Sequence, residues 1–444
     1  MMRLFLILIV GGLMETARSF APEPGLGSGA SGTALACGYL LITAFFAGEI
    51  FHHLHLPKLT GYLVTGIVVG PQLLGFVSNP MLDNLEIFNG TAIALIALTA
   101  GVELDLRSMR PLFRTITWLM VVAVLGTAAL LAIAVYFTRN MLPFMHGLPT
   151  TQAIAVAAVL GITMSAQSPA VVVALRSEMR ADGPLTRTVL GVVVMSDFVV
   201  ILLFAIASTI TKILFGVRAD VVQTASALAW EILGSIAIGL LAGFAIGVYL
   251  RYAKGSVALF VVIVALVIAE VGQQISLDPL IIALAAGMLI RNATQSGERL
   301  YREVEGASLP VYVVFFAVTG ATIHLKELST VAVPAVLYVS VRAAGFLSGS
   351  WIATTAAGAP ATLRKFTGLG LLPQAGLALA LALLFIRAFP AFGAAASALV
   401  FGAVAINEML APALYRQALE RSGEAGQEQS RVAEAESAEG TVES

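Results

Sequence analysis

The amino-acid sequence predicts an all-α membrane protein with about thirteen transmembrane helices, built as two inverted-topology repeats with two discontinuous crossing helices. Three observations carry this reading. Of 444 residues, 59% are hydrophobic and only 11% charged, where soluble domains carry about 25% charged residues. Apolar runs near the length that crosses a hydrocarbon layer recur along the chain. Related segments repeat at an offset of 219 to 221 residues, and prolines among polar residues interrupt two of the apolar runs.

The elements follow in order. Met1 to Leu13 is a short apolar run behind Arg3, followed by Pro-, Gly- and Ser-rich residues. Residues 1–21 therefore resemble a signal peptide, and 1–33 are expected to form an extracellular segment. Hydropathy then marks spans at 34–52, 58–77, 88–102, 112–138, 150–176, 186–211, 226–250, 256–276, 278–291, 309–323, 331–357, 364–388 and 393–415. The first span closes on His52, His53 and His55, read as interfacial histidines and not as metal ligands. Glu49 and Glu270 lie toward span ends, where solvation is the ordinary reading, and Glu103, Asp105 and Arg107 form a charged helix end. The seventh span carries Gly239, Gly243 and Gly247 at four-residue spacing, which suits close helix contact. The transmembrane domain is expected over 34–416. Residues 417–444, rich in Glu, Ala, Ser and Gly, read as a disordered acidic tail.

Net charge is −1, which gives no reason to expect a nucleic-acid partner, and the single cysteine, Cys37, excludes an intrachain disulfide. No phosphate loop, CxxC pair or HExxH is present, and neither a cofactor nor an enzymatic activity is expected. Lys and Arg set the orientation. Connections on one side hold seventeen basic residues and those on the other hold seven, with Arg342 left inside a span. The N-terminus is thus expected outside and the C-terminus in the cytoplasm of a plasma membrane. The repeat pairs TAGVELDLRSM (99–109) with VTGATIHLKEL (318–328), and LPKLTGYLVTGIVVG (56–70) with LDPLIIALAAGMLIR (277–291). The third and tenth spans are an odd number apart, so the two copies cross in opposite directions. Inverted halves are a common architecture of secondary transporters, with the site near the midplane.

Two charges sit at membrane depth. Asp197, in VVVMSDFVVILLF (192–204), lies about 16 Å from the cytoplasmic end of its span at 1.5 Å per residue, midway through a layer about 30 Å thick. Arg342 reaches the same depth from the other side. An ionised Asp there costs about 2.5–3.5 kcal/mol on insertion scales. Two readings stand: a structural ion pair that fixes packing, and a titratable site facing water or a cation. The fifth span contains GITMSAQSPAVVVAL (161–175), where Pro169 lacks an amide hydrogen and disfavours helix at Ser168. Thr163, Ser165, Gln167 and Ser168 surround the break. The twelfth span contains GLGLLPQAGLALAL (368–381), with Pro373, Gln374 and Gly376 at the interruption. Interrupted helices in corresponding halves point to a transport site, where freed carbonyls and hydroxyls can coordinate a cation.

This order of features, a broken SPA helix, a GPLTRTVLGVVVxxD helix and a later PQAG helix, resembles the cation:proton antiporter-2 family of sodium/hydrogen exchanger-like membrane domains. The resemblance runs from about Leu35 to Tyr415 and is most specific over 168–197. It implies that Asp197 binds the cation and the proton in turn, the cation being Na⁺ or K⁺. It places Ser196 where electrogenic members carry a second Asp, and Gln167 and Ser168 at the first crossover, with Thr163 close by. Arg342 matches a basic residue of the core. The resemblance also implies a core of spans at 112–211 and 331–415, a homodimerisation region at 34–102 and 256–323, and a linker helix at 226–250. Asp197 has no second acid on a partner helix at matching depth in this reading, so one-for-one, electroneutral exchange is expected. The alternatives are a potassium-efflux, channel-like relative and an organic-anion symporter on a related fold. An intramembrane aspartic protease would need two carboxylates sharing a site.

Overall fold

A computed structural model describes residues 11–12, 14, 30–54, 56–216, 226–227, 229–252, 257–275, 277–294, 297–323, 325–374, 376–389 and 392–427. Most of the signal-like segment, His55, Ala375 and tail residues 428–444 lie outside the described residues. All regular structure among the described residues is helical. Seven helical segments are long and apolar enough to cross a membrane, and six shorter apolar helices accompany them. Large apolar side chains such as Leu241, Phe244, Leu259 and Phe137 are exposed. Such surfaces are a liability in water and the normal face of a helix in lipid. The chain is a multi-pass membrane protein.

It divides into two compact units, one of residues 1–105 and 225–329, the other of 106–224 and 330–444. The first unit holds α1 (Ala30–His53), α2 (Lys58–Val69), α3 (Asn79–Asn84) and α4 (Glu86–Glu103). The second unit then begins with α5 (Leu106–Met109), and α6 (Phe113–Trp118) and α7 (Gly126–Phe137) enclose a π-helical stretch, Leu119–Leu125. It continues through α8 (Thr150–Ser165), α9 (Pro169–Met179) and α10 (Pro184–Leu214). The chain returns to the first unit with α11 (Ser235–Tyr252), α12 (Val257–Gln274), α13 (Pro279–Ala293) and α14 (Gly297–Ala321). Helix α15 (Leu325–Ala356) leads back into the second unit, followed by α16 (Ala361–Gly370), α17 (Gly376–Ala388) and α18 (Gly393–Ser422).

Glycines set the spacing in the first unit. A Cβ on Gly101 of α4 would lie 2.3 Å from the Leu284 carbonyl of α13, and one on Gly287 would lie 2.4 Å from that of Leu98. The two backbones are in contact at the crossing, as close small-residue packing in membranes requires. Helix α11 uses Gly239 and Gly243 against Ile282 and Ala286 of α13 in the same manner, so the expected contact face of the seventh span is met inside this unit. Helix α2 stops at Val69, short of the 58–77 interval, because Gly70 is extended and Pro71 follows it. The acid Glu49 pairs with Lys58.

In the second unit, α15 seats against the 119–137 segment through Gly345 and Gly349, which approach Thr127 and Ala123, and Gly368 of α16 approaches Leu347. These contacts hold α15 between its neighbours and carry Arg342 into the interior. The disordered tail expected from 417 does not begin there: α18 continues through Ser422, and Glu424 is buried. The reason is a specific docking contact, described below.

Candidate functional site

The fifth and twelfth hydropathy intervals are each two helices with a gap. Helix α8 ends at Ser165 and Ala166 is extended; Ser168 is also extended, as a residue before proline prefers. Pro169 then opens α9 at its first position, where a missing amide hydrogen costs nothing. Ser168 is the N-cap, its Oγ accepting from the Val171 amide at 3.3 Å. In the second gap Leu371 caps α16, Leu372, Pro373 and Gln374 run without helical structure, all buried, and α17 begins at Gly376. Each gap strands carbonyls at the end of the preceding half-helix.

Arg342 collects those carbonyls. It is 1% exposed. Its Nε donates to Met164 O at 2.8 Å and its Nη2 to Ala166 O at 2.9 Å, while Nη1 donates to Leu372 O at 2.6 Å. The guanidinium also lies 4.7 Å from the Phe346 ring centre. Each helix C-terminus carries roughly half a negative charge, and one cation compensates both. Among the described residues Arg342 makes no ion pair, so the structural reading of an Asp197–Arg342 bridge is corrected: the charge it meets is that of two helix ends. Gln374 joins the gaps a second time, its Nε2 donating to Met164 O at 3.1 Å, and Asn407 of α18 donates to Gln374 Oε1 at 2.8 Å.

On the other side of the first gap, Gln167 meets α10. The Ser196 hydroxyl lies 3.0 Å from Gln167 Oε1 and 2.7 Å from Val193 O, sharing its one proton between them. The Gln167 amide nitrogen is buried with no acceptor among the described residues. Asp197, the next residue, is 5% exposed, thirteen residues after Pro184 and seventeen before Leu214. The acid is therefore buried near the middle of its helix. Thr163 is buried but turns back on its own helix, donating to Val159 O at 2.8 Å. The fold thus brings Gln167 and Ser196 together next to Asp197, places Ser168 as a cap, and gives Thr163 a partner of its own. Among the described residues no group of three or more His, Cys, Asp or Glu could hold a metal ion.

Sequence reasoning missed two residues here. Asn407 and Glu408 lie side by side in AINEML, buried in the centre of α18. Through Gln374 and Met164 they are fixed at the level of the gaps. Beside Asp197, Glu408 is a second acid buried near the middle of a long apolar helix. The signal was present in the sequence, a polar pair inside an apolar run. A span ending at 415 put it near an interface, whereas the helix runs on to Ser422.

Helix α10 is held at its start as well. The Glu424 carboxylate accepts from Leu185 N at 2.7 Å, from Thr186 N at 2.8 Å and from Thr186 Oγ1 at 2.7 Å. The Asp182 amide donates to the Glu424 carbonyl and Gly426 N to Met179 O. An anion at a helix N-terminus satisfies orphan amides and the macrodipole together.

Comparison with known proteins agrees with this architecture. The family model described as sodium/hydrogen exchanger, transmembrane, matches residues 40–416. The Na⁺/H⁺-K⁺ antiporter GerN of Bacillus cereus is 24% identical over 295 residues, covering 64% of this chain and 70% of GerN. The iron transporter MagA of Paramagnetospirillum magneticum is 29% identical over 164 residues, 36% of this chain, and the match spans only 34% of MagA. Among solved structures, the sodium proton antiporter MjNhaP1 of Methanocaldococcus jannaschii superposes with a TM-score of 0.70 at 17% identity, covering 88% of this chain and 96% of that one. That likeness establishes the fold. With the family model covering most of the chain and both helix gaps within it, the protein belongs to the sodium/hydrogen exchanger family.

Proposed function

We propose that this protein is a secondary antiporter that exchanges a monovalent cation, Na⁺ or K⁺, for H⁺ across the plasma membrane by alternating access. It is a transporter and not an enzyme. Asp197 is the carboxylate that holds cation and proton in turn. The observation that carries this reading is the pair of gapped helices whose freed C-terminal ends are neutralised by Arg342, with Gln167, Ser196 and Asp197 clustered beside the first gap. Turning the Gln167 amide over would let its nitrogen donate to Ser196 and leave its oxygen for a cation. Ser168 and Thr163 supply further oxygens at the same break. Because a bare buried charge is costly to carry through the membrane, an occupied carboxylate crosses and an empty one does not. Exchange follows without ATP. The unit of residues 106–224 and 330–444 is the ion-carrying core, residues 34–102 and 256–323 of the other unit serve the homodimer, and the 226–250 helix is the linker. The N-terminus lies outside and the C-terminus in the cytoplasm.

The test is a pH-dye assay in everted vesicles with pulses of Na⁺, K⁺, Li⁺ and Rb⁺. Wild type dissipates the proton gradient on addition of its cation, and Asp197→Asn does not. Undiminished exchange by Asp197→Asn would overturn the assignment.

A further inference from the structure

The acid on α18 has a setting that parallels that of Asp197. At the first gap, Gln167 meets Ser196 of α10, and Asp197 is the next residue. At the second gap, Gln374 meets Asn407 of α18, and Glu408 is the next residue. A glutamine in each break is bonded to a polar residue of a later helix, and in both cases that residue precedes an acid. The separations are comparable, 29 residues from Gln167 to Ser196 and 33 from Gln374 to Asn407. Arg342 and Gln374 tie the two gaps to each other, and each acid lies near the middle of its helix.

Glu408 is 2% exposed, and neither carboxylate oxygen has a hydrogen-bond partner among the described residues. It forms no ion pair there, and Arg342, the arginine buried in the same unit, gives each of its three nitrogens to a carbonyl. An ionised carboxylate without donors in a low-dielectric interior is unfavourable by many kcal/mol. Its carboxyl therefore holds a proton unless cation charge in the core, from Arg342 and a bound M⁺ together, balances its ionised form. An apolar side chain of similar volume would pack there at lower cost.

We propose that Glu408 is a second exchanging carboxyl, which takes up one proton when Asp197 takes up another. This rests on the antiport reading above. In the cation-loaded half of the cycle both acids are ionised, and with Arg342 and one bound M⁺ the core is neutral. In the return half M⁺ has left to one side, two protons have entered from the other, and the core carries one positive charge. Two protons thus move against one cation, and each turnover carries one net charge. The one-for-one exchange expected from Asp197 alone is replaced by an electrogenic ratio.

The experiment is a reversal measurement in proteoliposomes at zero membrane potential, with wild type, Glu408→Gln and Asp197→Asn. A tenfold cation gradient is balanced by about half a pH unit at a ratio of two and by about one unit at a ratio of one. Wild type is expected to reverse at the ratio of two and Glu408→Gln at one. Wild type at one, or Glu408→Gln still at two, overturns the proposal. Should Glu408→Gln fail to fold, proton release decides: saturating purified wild type with cation in weak buffer frees two protons per cation bound, and a count of one overturns the inference. Undiminished exchange by Asp197→Asn would sink the Asp197 assignment and the two-carboxyl count with it, whereas loss of exchange in Asp197→Asn with Glu408→Gln still at a ratio of two would sink this proposal alone.

Discussion

Arg342→Met removes the one cation that holds the two helix gaps among the described residues, and its cost can be worked from the contacts. Three hydrogen bonds of 2.6 to 2.9 Å are lost, and bonds to a charged group contribute about 1.5–3 kcal/mol each. Removing the buried cation relieves its own desolvation, which offsets that loss. What is not relieved is the partner side. A carboxylate left alone could pick up a proton, but the Ala166 and Leu372 carbonyls cannot, and each stranded acceptor costs about 1–3 kcal/mol. Met164 keeps Gln374 as a donor. With the lost bonds offset by the relieved desolvation, the two stranded carbonyls at about 1.5–2 kcal/mol each leave a net loss of about 3–4 kcal/mol. For a unit of this size 1 kcal/mol moves the midpoint by about 2–4 °C, so thermal unfolding in detergent should fall by roughly 6–16 °C. Arg342→Lys keeps the charge but has no planar fork to span three carbonyls, and recovers less than half. A midpoint for Arg342→Met within about 2 °C of wild type would refute the claim that this guanidinium holds the crossing together.

Two further outcomes follow from the packing. Gly287→Ala pushes a methyl into the Leu98 carbonyl and should cost about 2–3 kcal/mol, read as a lowered unfolding midpoint; an unchanged midpoint would show that α4 and α13 separate freely. Glu424→Gln weakens the cap on α10, with a loss of about 1–2 kcal/mol and faster amide exchange at Leu185 and Thr186. Unaltered exchange there would mean the carboxylate is not what protects those amides.

Much of this architecture was legible in the sequence, for identifiable reasons. Pro169 and Pro373 announce the gaps because a missing amide hydrogen acts locally, wherever the residue ends up in the fold. Asp197 was legible because its flanks are hydrocarbon on both sides for many residues. The helix lengths were less so: Gly70 and Pro71 end α2 early, and a polar extension lengthens α18 beyond the hydrophobic window. The partners of Arg342 were hidden, since its acceptors are backbone carbonyls from segments 30 to 178 residues away and carry no side-chain signature. Asn407 and Glu408 were concealed by the same boundary error that shortened α18.

The Glu424 contact has a mechanical consequence. The last helix is fastened to the first turn of the helix that carries Asp197, so whatever follows Gln427 hangs from a fixed anchorage and not from a loose end. A load applied to that trailing segment, by a binding protein or an appended tag, is delivered to α10 directly. Steering the acid from outside the bilayer thus requires no relay through the lipid-facing helices.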